Sequence, residues 1–342
     1  MPAPVALRSD NFTPPSRTPW GGTRVLSRYK QNVHSAHAIV GESWEVSVEP
    51  AYPSLTLSGD SLAERIAAAP LRWLGAAGVA RFGPQTPLLV KLLDAADNLS
   101  VQVHPANGDP ALSPLESGKP EAWVVLDAMP GAGLYLGFRH GVTRDDVAAC
   151  LAEGARIDAL MNFVPVRPGD AYVIDAGTAH AIGAGVTLLE PQLVWPGRSG
   201  VTYRFWDWER RYDSAGKLEP TGTPRVLHVE RSLAVTRWDI AGGHSFVEAC
   251  RARPRVLESG FTQRASVVDW AWFQVERWSG TGALAIPAVD SMWAITVVGG
   301  CCRIVCDTGE VAIGCGESAV VPAAGGRLSV TLEDADVFAV RT

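Results

Sequence analysis

The segment Leu99-Ser100-Val101-Gln102-Val103-His104-Pro105 alternates apolar and polar positions without a break. A period of two belongs to a β-strand, whose successive side chains point to opposite faces. Val101 and Val103 therefore share a packing face, and Ser100, Gln102 and His104 share the other. Similar runs recur along the chain. Pro87 to Phe138 reads as strand, turn and strand, and strands are expected at Phe163-Val164-Pro165-Val166 and Ala171-Tyr172-Val173-Ile174. Short alternating runs return at Ser291 to Val298 and Leu328 to Leu332. Helical patterns are few. Ser61 to Phe82 offers Leu62, Ile66, Leu71, Trp73 and Leu74 as apolar contacts, with Pro70 dividing it into two short helices. Thr143-Arg144-Asp145-Asp146 is a helix start, with Thr143 as N-cap and Asp146 completing a capping box. That helix is expected to run towards Met161 with a break at Gly154. The pattern predicts a mainly β protein with helical insertions.

Two segments repeat one another. Gly169-Asp170-Ala171-Tyr172-Val173-Ile174-Asp175-Ala176 aligns with Gly316-Glu317-Ser318-Ala319-Val320-Val321-Pro322-Ala323. Each is a Gly-acidic turn, an apolar strand and a small-residue turn, so two β-barrels are expected. The length of 342 residues also exceeds what one core usually holds.

Composition adds exclusions. Hydrophobic residues make up 47% and charged residues 19%, an ordinary globular balance. The formal net charge of −6 comes with no basic run, which argues against nucleic acid or an anionic membrane as a partner. No segment approaches the roughly 20 continuous apolar residues of a membrane span. Met1-Pro2-Ala3-Pro4-Val5 lacks the charged and apolar regions of a secretion signal, so a cytoplasmic location is expected. The cysteines are Cys150, Cys250, Cys301, Cys302, Cys306 and Cys315. Cys301 and Cys302 are strand neighbours facing opposite ways, so they do not serve one metal site. They read as small residues of a reduced protein.

The polar face at Ser100, Gln102 and His104 makes sense if it lines a cavity. Two later segments supply matching groups. Gly118-Lys119-Pro120-Glu121-Ala122-Trp123 sets Lys119 and Glu121 on one face, with Trp123 walling the same side. Ala176-Gly177-Thr178-Ala179-His180-Ala181 presents a second imidazole just after a strand. Two histidines and a glutamate are a competent ligand set for a divalent transition metal. The same set describes a non-haem iron triad, so the residues alone do not choose the metal.

Taken with Trp20-Gly21-Gly22, Gly41-Glu42-Ser43-Trp44-Glu45, Pro87-Leu88-Leu89-Val90-Lys91, Pro168-Gly169-Asp170, Glu190 and Thr202-Tyr203-Arg204, these segments run in a familiar order. The chain resembles the type I mannose-6-phosphate isomerases, in particular their short bacterial form. The resemblance implies a double cupin-type β-barrel, or jelly roll, and one zinc ion held by Gln102, His104, Glu121 and His180. It implies that Lys91, Ser100 and Lys119 hold a sugar phosphate, although Lys91 within its apolar run also reads as a residue snorkelling to the surface. Arg204 matches the family's catalytic arginine, and a guanidinium suits a developing enediolate. Glu190 matches an acidic position that relays a proton or orients a hydroxyl. The implied reaction interconverts mannose 6-phosphate and fructose 6-phosphate through a cis-enediol. The proton carrier stays open among a water on the metal, Glu190 and Lys119.

The second repeat has Arg327 where the first has His180, so its barrel is expected to lack the ligand. The expected division is a catalytic domain at 1–235, with helical insertions at about 61–82 and 143–161, and a C-terminal β domain at 236–342 without metal ligands. One segment departs from the family: Leu193 to Gly200 is longer than in the short bacterial form. There Arg198 offers a further phosphate contact and Trp195 a cap over the pocket. The loop leaves room for an isomerase of another, unphosphorylated sugar. A non-catalytic sugar-binding or regulatory cupin is the rival from a different class. Monomer and homo-oligomer both stay open.

Overall fold

The computed structural model describes residues 1–239 and 242–342. Two five-stranded antiparallel sheets form the first barrel. Its strands are β1 (Glu42–Val46), β2 (Leu88–Asp94), β3 (Val101–Val103), β4 (Glu121–Ala128) and β5 (Gly133–Phe138). They continue with β6 (Met161–Pro165), β7 (Ala171–Ile174), β8 (His180–Ile182), β9 (Val186–Leu193) and β10 (Tyr203–Trp206). One sheet has the order β1-β2-β9-β4-β7 and the other β10-β3-β8-β5-β6.

Strand β2 shows how sequence becomes site. All seven of its residues are buried, because both faces of its sheet are covered. Leu88, Val90 and Leu92 enter an apolar core shared with the C-terminal unit. Lys91 lies on the opposite face with Leu89 and Leu93. On β9, Leu189 and Leu193 join the shared core, which turns Glu190 and Gln192 the other way. On β4, Ala122 and Val124 do the same, which turns Glu121 and Trp123 the other way. Pairing then aligns these polar residues: Lys91 lies opposite Glu190, and Gln192 opposite Glu121.

The helices begin where local chemistry directs. α1 (Leu62–Ala68) and α2 (Pro70–Phe82) are separated at Ala69, with Pro70 at the first position of α2. Leu71, expected as an apolar contact, is 62% exposed. Gly75 interrupts α2 with φ +76, and a Cβ there would lie 2.3 Å from the Asp290 carbonyl oxygen. α3 (Arg144–Ala152) starts on the Thr143–Asp146 capping box. A short 3-10 turn, Ile157–Leu160, leads into β6.

The C-terminal unit is an eight-stranded antiparallel sheet, and its long strands Gln274–Ile286, Trp293–Cys306 and Leu328–Arg341 carry bulges near Gly280, Gly282 and Gly299. Bulges bend strands, and the bent sheet encloses its own core around Trp278 and Trp293. One of its strands is Val5–Ala6, paired with Ser318–Val321. The N-terminal residues therefore cross the division expected from the sequence. Among the described residues, no helix is long and apolar enough to cross a membrane.

Candidate metal centre and active site

The two sheets of the first barrel bring different chemistry to one point. The β3-β8 pair supplies imidazoles: His180 sits opposite Gln102, and His104 follows β3. Strand β4 supplies Glu121. His104 Nε2 lies 3.3 Å from Glu121 Oε2, and His180 Nε2 lies 3.4 Å from Glu121 Oε1. All three side chains are buried.

Backbone carbonyls set the tautomers. His104 Nδ1 donates to the Val201 carbonyl at 3.0 Å, and His180 Nδ1 donates to the Thr178 carbonyl at 2.8 Å. A carbonyl only accepts, so each ring carries its proton on Nδ1 and turns the Nε2 lone pair towards Glu121. Burial pushes the His180 pKa down to about 3, and His104 beside it adds to the effect. Burial and the Lys119 charge lower His104 as well. Burial alone would raise the Glu121 carboxyl, but the Lys119 charge beside it holds it well below the usual range. Two neutral imidazoles and a carboxylate thus face one another as acceptors.

That arrangement suits a bound cation. His104 Nε2 and Glu121 Oε1 have no hydrogen-bond partner although both are buried. Candidate ligand atoms of the three residues lie within 4.8 Å of one another. The donor set fits a divalent transition metal. Gln102 stands at the edge, its side-chain nitrogen 3.3 Å from His180 Nε2. Turning that amide over would present its oxygen there instead.

Lys119 Nζ lies 3.4 Å from Glu121 Oε2, and Trp123 packs edge-on against His180 at 5.3 Å. The Trp123 indole donates to Glu190 Oε1 at 3.0 Å. Burial, reinforced by the Glu121 charge, pushes the Glu190 carboxyl up to about 7. Arg204 lies opposite Gln102, with Nε on Ser100 Oγ at 3.0 Å and Nη1 on the Val226 carbonyl at 3.0 Å. Ser100 in turn donates to Gln102 Oε1 at 3.3 Å.

Two expectations need correction. Lys91 does not snorkel to solvent. It is buried 3.6 Å from Glu42 and 3.5 Å from Glu190, above the Trp44 ring, while Ser100 is engaged by Arg204 on the other sheet. Burial would depress the Lys91 ammonium, but the two carboxylates raise it above its ordinary value. Trp195 does not cap the centre. It packs edge-on against Phe82 and Trp272, and Arg198 is exposed at the turn of its loop.

Residues 16–129 match the catalytic domain of type I phosphomannose isomerases. Over 307 residues the chain is 30% identical to the mannose-6-phosphate isomerase of Streptococcus mutans, covering 89% of this chain and 88% of that one.

The chain belongs to the type I phosphomannose isomerase family.

Solved members of the family agree in fold. The mannose 6-phosphate isomerase of Bacillus subtilis superposes with a TM-score of 0.82 at 22% identity, covering 100% of both chains. The apo form from Salmonella typhimurium gives 0.72 at 18% identity, again over 100% of both. At such identity the likeness speaks for the fold alone: two cupin-type barrels, mainly β. Type I members are metal-dependent, which accords with the three facing acceptors.

Several contributors carried no assigned role in the sequence reading. Gln192 donates to Glu121 Oε2 at 2.7 Å. Its only local signal was its place two residues beyond Glu190 on one strand. Glu42, within Gly41-Glu42-Ser43-Trp44-Glu45, proves to be a partner of Lys91. The Val201 and Thr178 carbonyls that orient the histidines leave no side-chain signal at all.

Proposed function

We propose that the chain is a metal-dependent aldose-ketose isomerase that interconverts mannose 6-phosphate and fructose 6-phosphate through a cis-enediol. The observation that carries this reading is the buried set of facing acceptors at His104, Glu121 and His180 in a member of this family. Those residues would hold zinc, with Gln102 at its edge. When bound, the metal supplies Lewis-acid polarisation of a sugar oxygen.

The chain's own residues account for the remaining work. Glu190, with its carboxyl near 7, is suited to take and return the proton that moves between C1 and C2. Its Oε1 is held by Trp123, and its Oε2, the oxygen proposed to exchange the proton, lies 3.5 Å from Lys91 Nζ. Arg204 remains charged and is fixed by Ser100 and Val226, so it meets enediolate charge without reorganising. Lys119 keeps Glu121 ionised and, with the Ser100 hydroxyl, offers donors to the phosphate. Lys91 acts as the internal counter-ion of Glu42 and Glu190 and not as a phosphate ligand. The catalytic domain spans 1–235, joined by the Val5–Ala6 strand to a C-terminal domain at 236–342 with no cluster of metal ligands among its described residues. A cytoplasmic setting fits a phosphorylated substrate and six unpaired cysteines.

A coupled isomerase assay on hexose phosphates and free hexoses, before and after chelation, tests the reading. Turnover of mannose 6-phosphate should vanish on chelation and return with zinc. Absence of proton exchange at C1 or C2 of every sugar phosphate would favour a sugar-binding cupin. Turnover of a free hexose alone would replace the substrate.

A further inference from the structure

The loop that departs from the family pattern touches the site from behind. The carbonyl of Val201, the residue that follows the loop, receives His104 Nδ1 at 3.0 Å. Gly200 lies against the Lys119 stem and Val194: a Cβ there would stand 3.1 Å from Lys119 Cδ, 3.1 Å from Val194 Cγ2 and 3.3 Å from Lys119 Cγ. Ser199 and Gly200 pair in parallel with Glu116 and Ser117, the residues leading into Lys119. Further hydrogen bonds run from Val201 N to the Ser117 carbonyl and from Trp195 N to Ser117 Oγ.

The far end of the loop is anchored outside the first barrel. The Trp195 ring meets Phe82, the last residue of α2, edge-on at 6.2 Å. It meets Trp272 of the C-terminal unit edge-on at 5.5 Å. The Arg81 guanidinium lies over both Phe82 and Trp272, at 4.7 and 5.1 Å. This cluster packs against the core shared by the two units.

We propose that residues 195–201 form a positioning strap, and that Gly200 and Trp272 act on the isomerase reaction through Lys119. The ligand-free C-terminal unit would then contribute by holding Trp195, which sets how closely Gly200 bears on the lysine. Aromatic contacts are stiff and short-ranged, so loss of one ring lets the strap move. A misplacement of about 1 Å can cost a hundredfold in rate, so even a partial shift of the ammonium is measurable. The inference rests on the proposed isomerase activity for its kinetic readout.

The test uses the full chain with its metal restored. Gly200→Ala adds only a methyl, at a position whose backbone any residue can adopt. It should lower kcat/KM for the phosphosugar about tenfold with the thermal midpoint preserved. Trp272→Ala should act in the same direction, and Trp272→Phe should restore most of the loss. In a Lys119→Met background, both substitutions should have almost no further effect. Equal fold-losses in the two backgrounds would overturn the proposal. So would a loss that follows metal content. Should Trp272→Ala fail to fold, Gly200→Ala still decides. A second readout needs no turnover: the side-chain carbon NMR signal of Lys119, identified by its absence in Lys119→Met, should shift in Gly200→Ala. An inactive wild type would thus refute the isomerase reading, while an unmoved lysine signal would refute the strap.

Discussion

Gln192 donates its side-chain amide to Glu121 Oε2 over 2.7 Å from the directly paired position on the neighbouring strand. The bond fixes the carboxylate plane while Oε1 stays without a partner. Outer partners of this kind typically govern metal affinity by about tenfold to a hundredfold. Gln192→Ala should therefore weaken metal retention by that amount, read by competition with a chelator. Unchanged retention would show that Gln192 supports only the sheet.

Removing the metal should cost stability as well as activity. Without it, His104 Nε2, His180 Nε2 and Glu121 are acceptors turned towards one another in a buried site. A ligand present at a hundred times its dissociation constant stabilises the fold by about 2.7 kcal/mol. Calorimetry should show a lower midpoint after chelation and recovery with zinc. A stripped protein with full turnover and an unchanged midpoint would sink the assignment.

The two lysines should behave differently. Lys91→Met leaves Glu42 and Glu190 buried without their shared cation, and breaking a buried pair this way costs about 3–5 kcal/mol. It should act chiefly on stability. Lys119→Met should cost about 1.5–3 kcal/mol in kcat/KM for a phosphosugar, the range for hydrogen bonds to charged groups. Denaturation midpoints and rates on phosphorylated and free sugars separate the cases. A selective loss of phosphosugar activity in Lys91→Met, with stability intact, would restore it as a phosphate contact.

What the sequence made legible was local. The alternation at 99–105 places Gln102 and His104 on one face because strand geometry has a fixed period, and the Thr143–Asp146 box names a helix start within four residues. Glu121 and His180 could be matched to that face as ligand types, and the family resemblance added Gln102 and zinc. The partners of Lys91 had no local sign. A lysine in an apolar run reads the same whether its stem reaches water or two carboxylates from distant strands. Trp195 was misplaced for a similar reason: its neighbours Phe82 and Trp272 come from a helix and from the second unit. Leu71 fitted a helical stripe, but it is exposed on α2, whose helical path is interrupted at Gly75.

Arg204 is expected to act on turnover. The enediolate carries charge that the ground-state sugar lacks, so a guanidinium placed for it lowers the barrier more than it tightens binding. Arg204→Ala should depress kcat by about a hundredfold or more with little change in KM. Lysine should rescue only part of the loss, because it cannot keep the bonds to Ser100 and Val226 together. A raised KM with kcat intact would make Arg204 a binding residue.

Glu190 gives a pH signature whose sign follows from its surroundings. Burial first, and the Glu121 charge second, raise its carboxyl from 4.5 in an unperturbed chain to about 7 in the fold. Between these values the folded protein holds a proton that the unfolded chain has released. Its contribution to stability is thus fully present below pH 4.5 and is lost as pH rises through 7. A glutamine there does not titrate. In chelated protein, the thermal midpoint of Glu190→Gln should therefore gain on the wild type as pH increases from about 5 to 8. Glu42, which titrates in the opposite sense beside Lys91, is common to both proteins and drops out of the comparison. Zinc should shrink the gain, because it neutralises the Glu121 charge that helps raise Glu190. Midpoints of both proteins across this range, with and without zinc, provide the check. A difference that stays flat, or that falls with pH, would mean that Glu190 is ionised throughout and would remove it as the group that exchanges the proton.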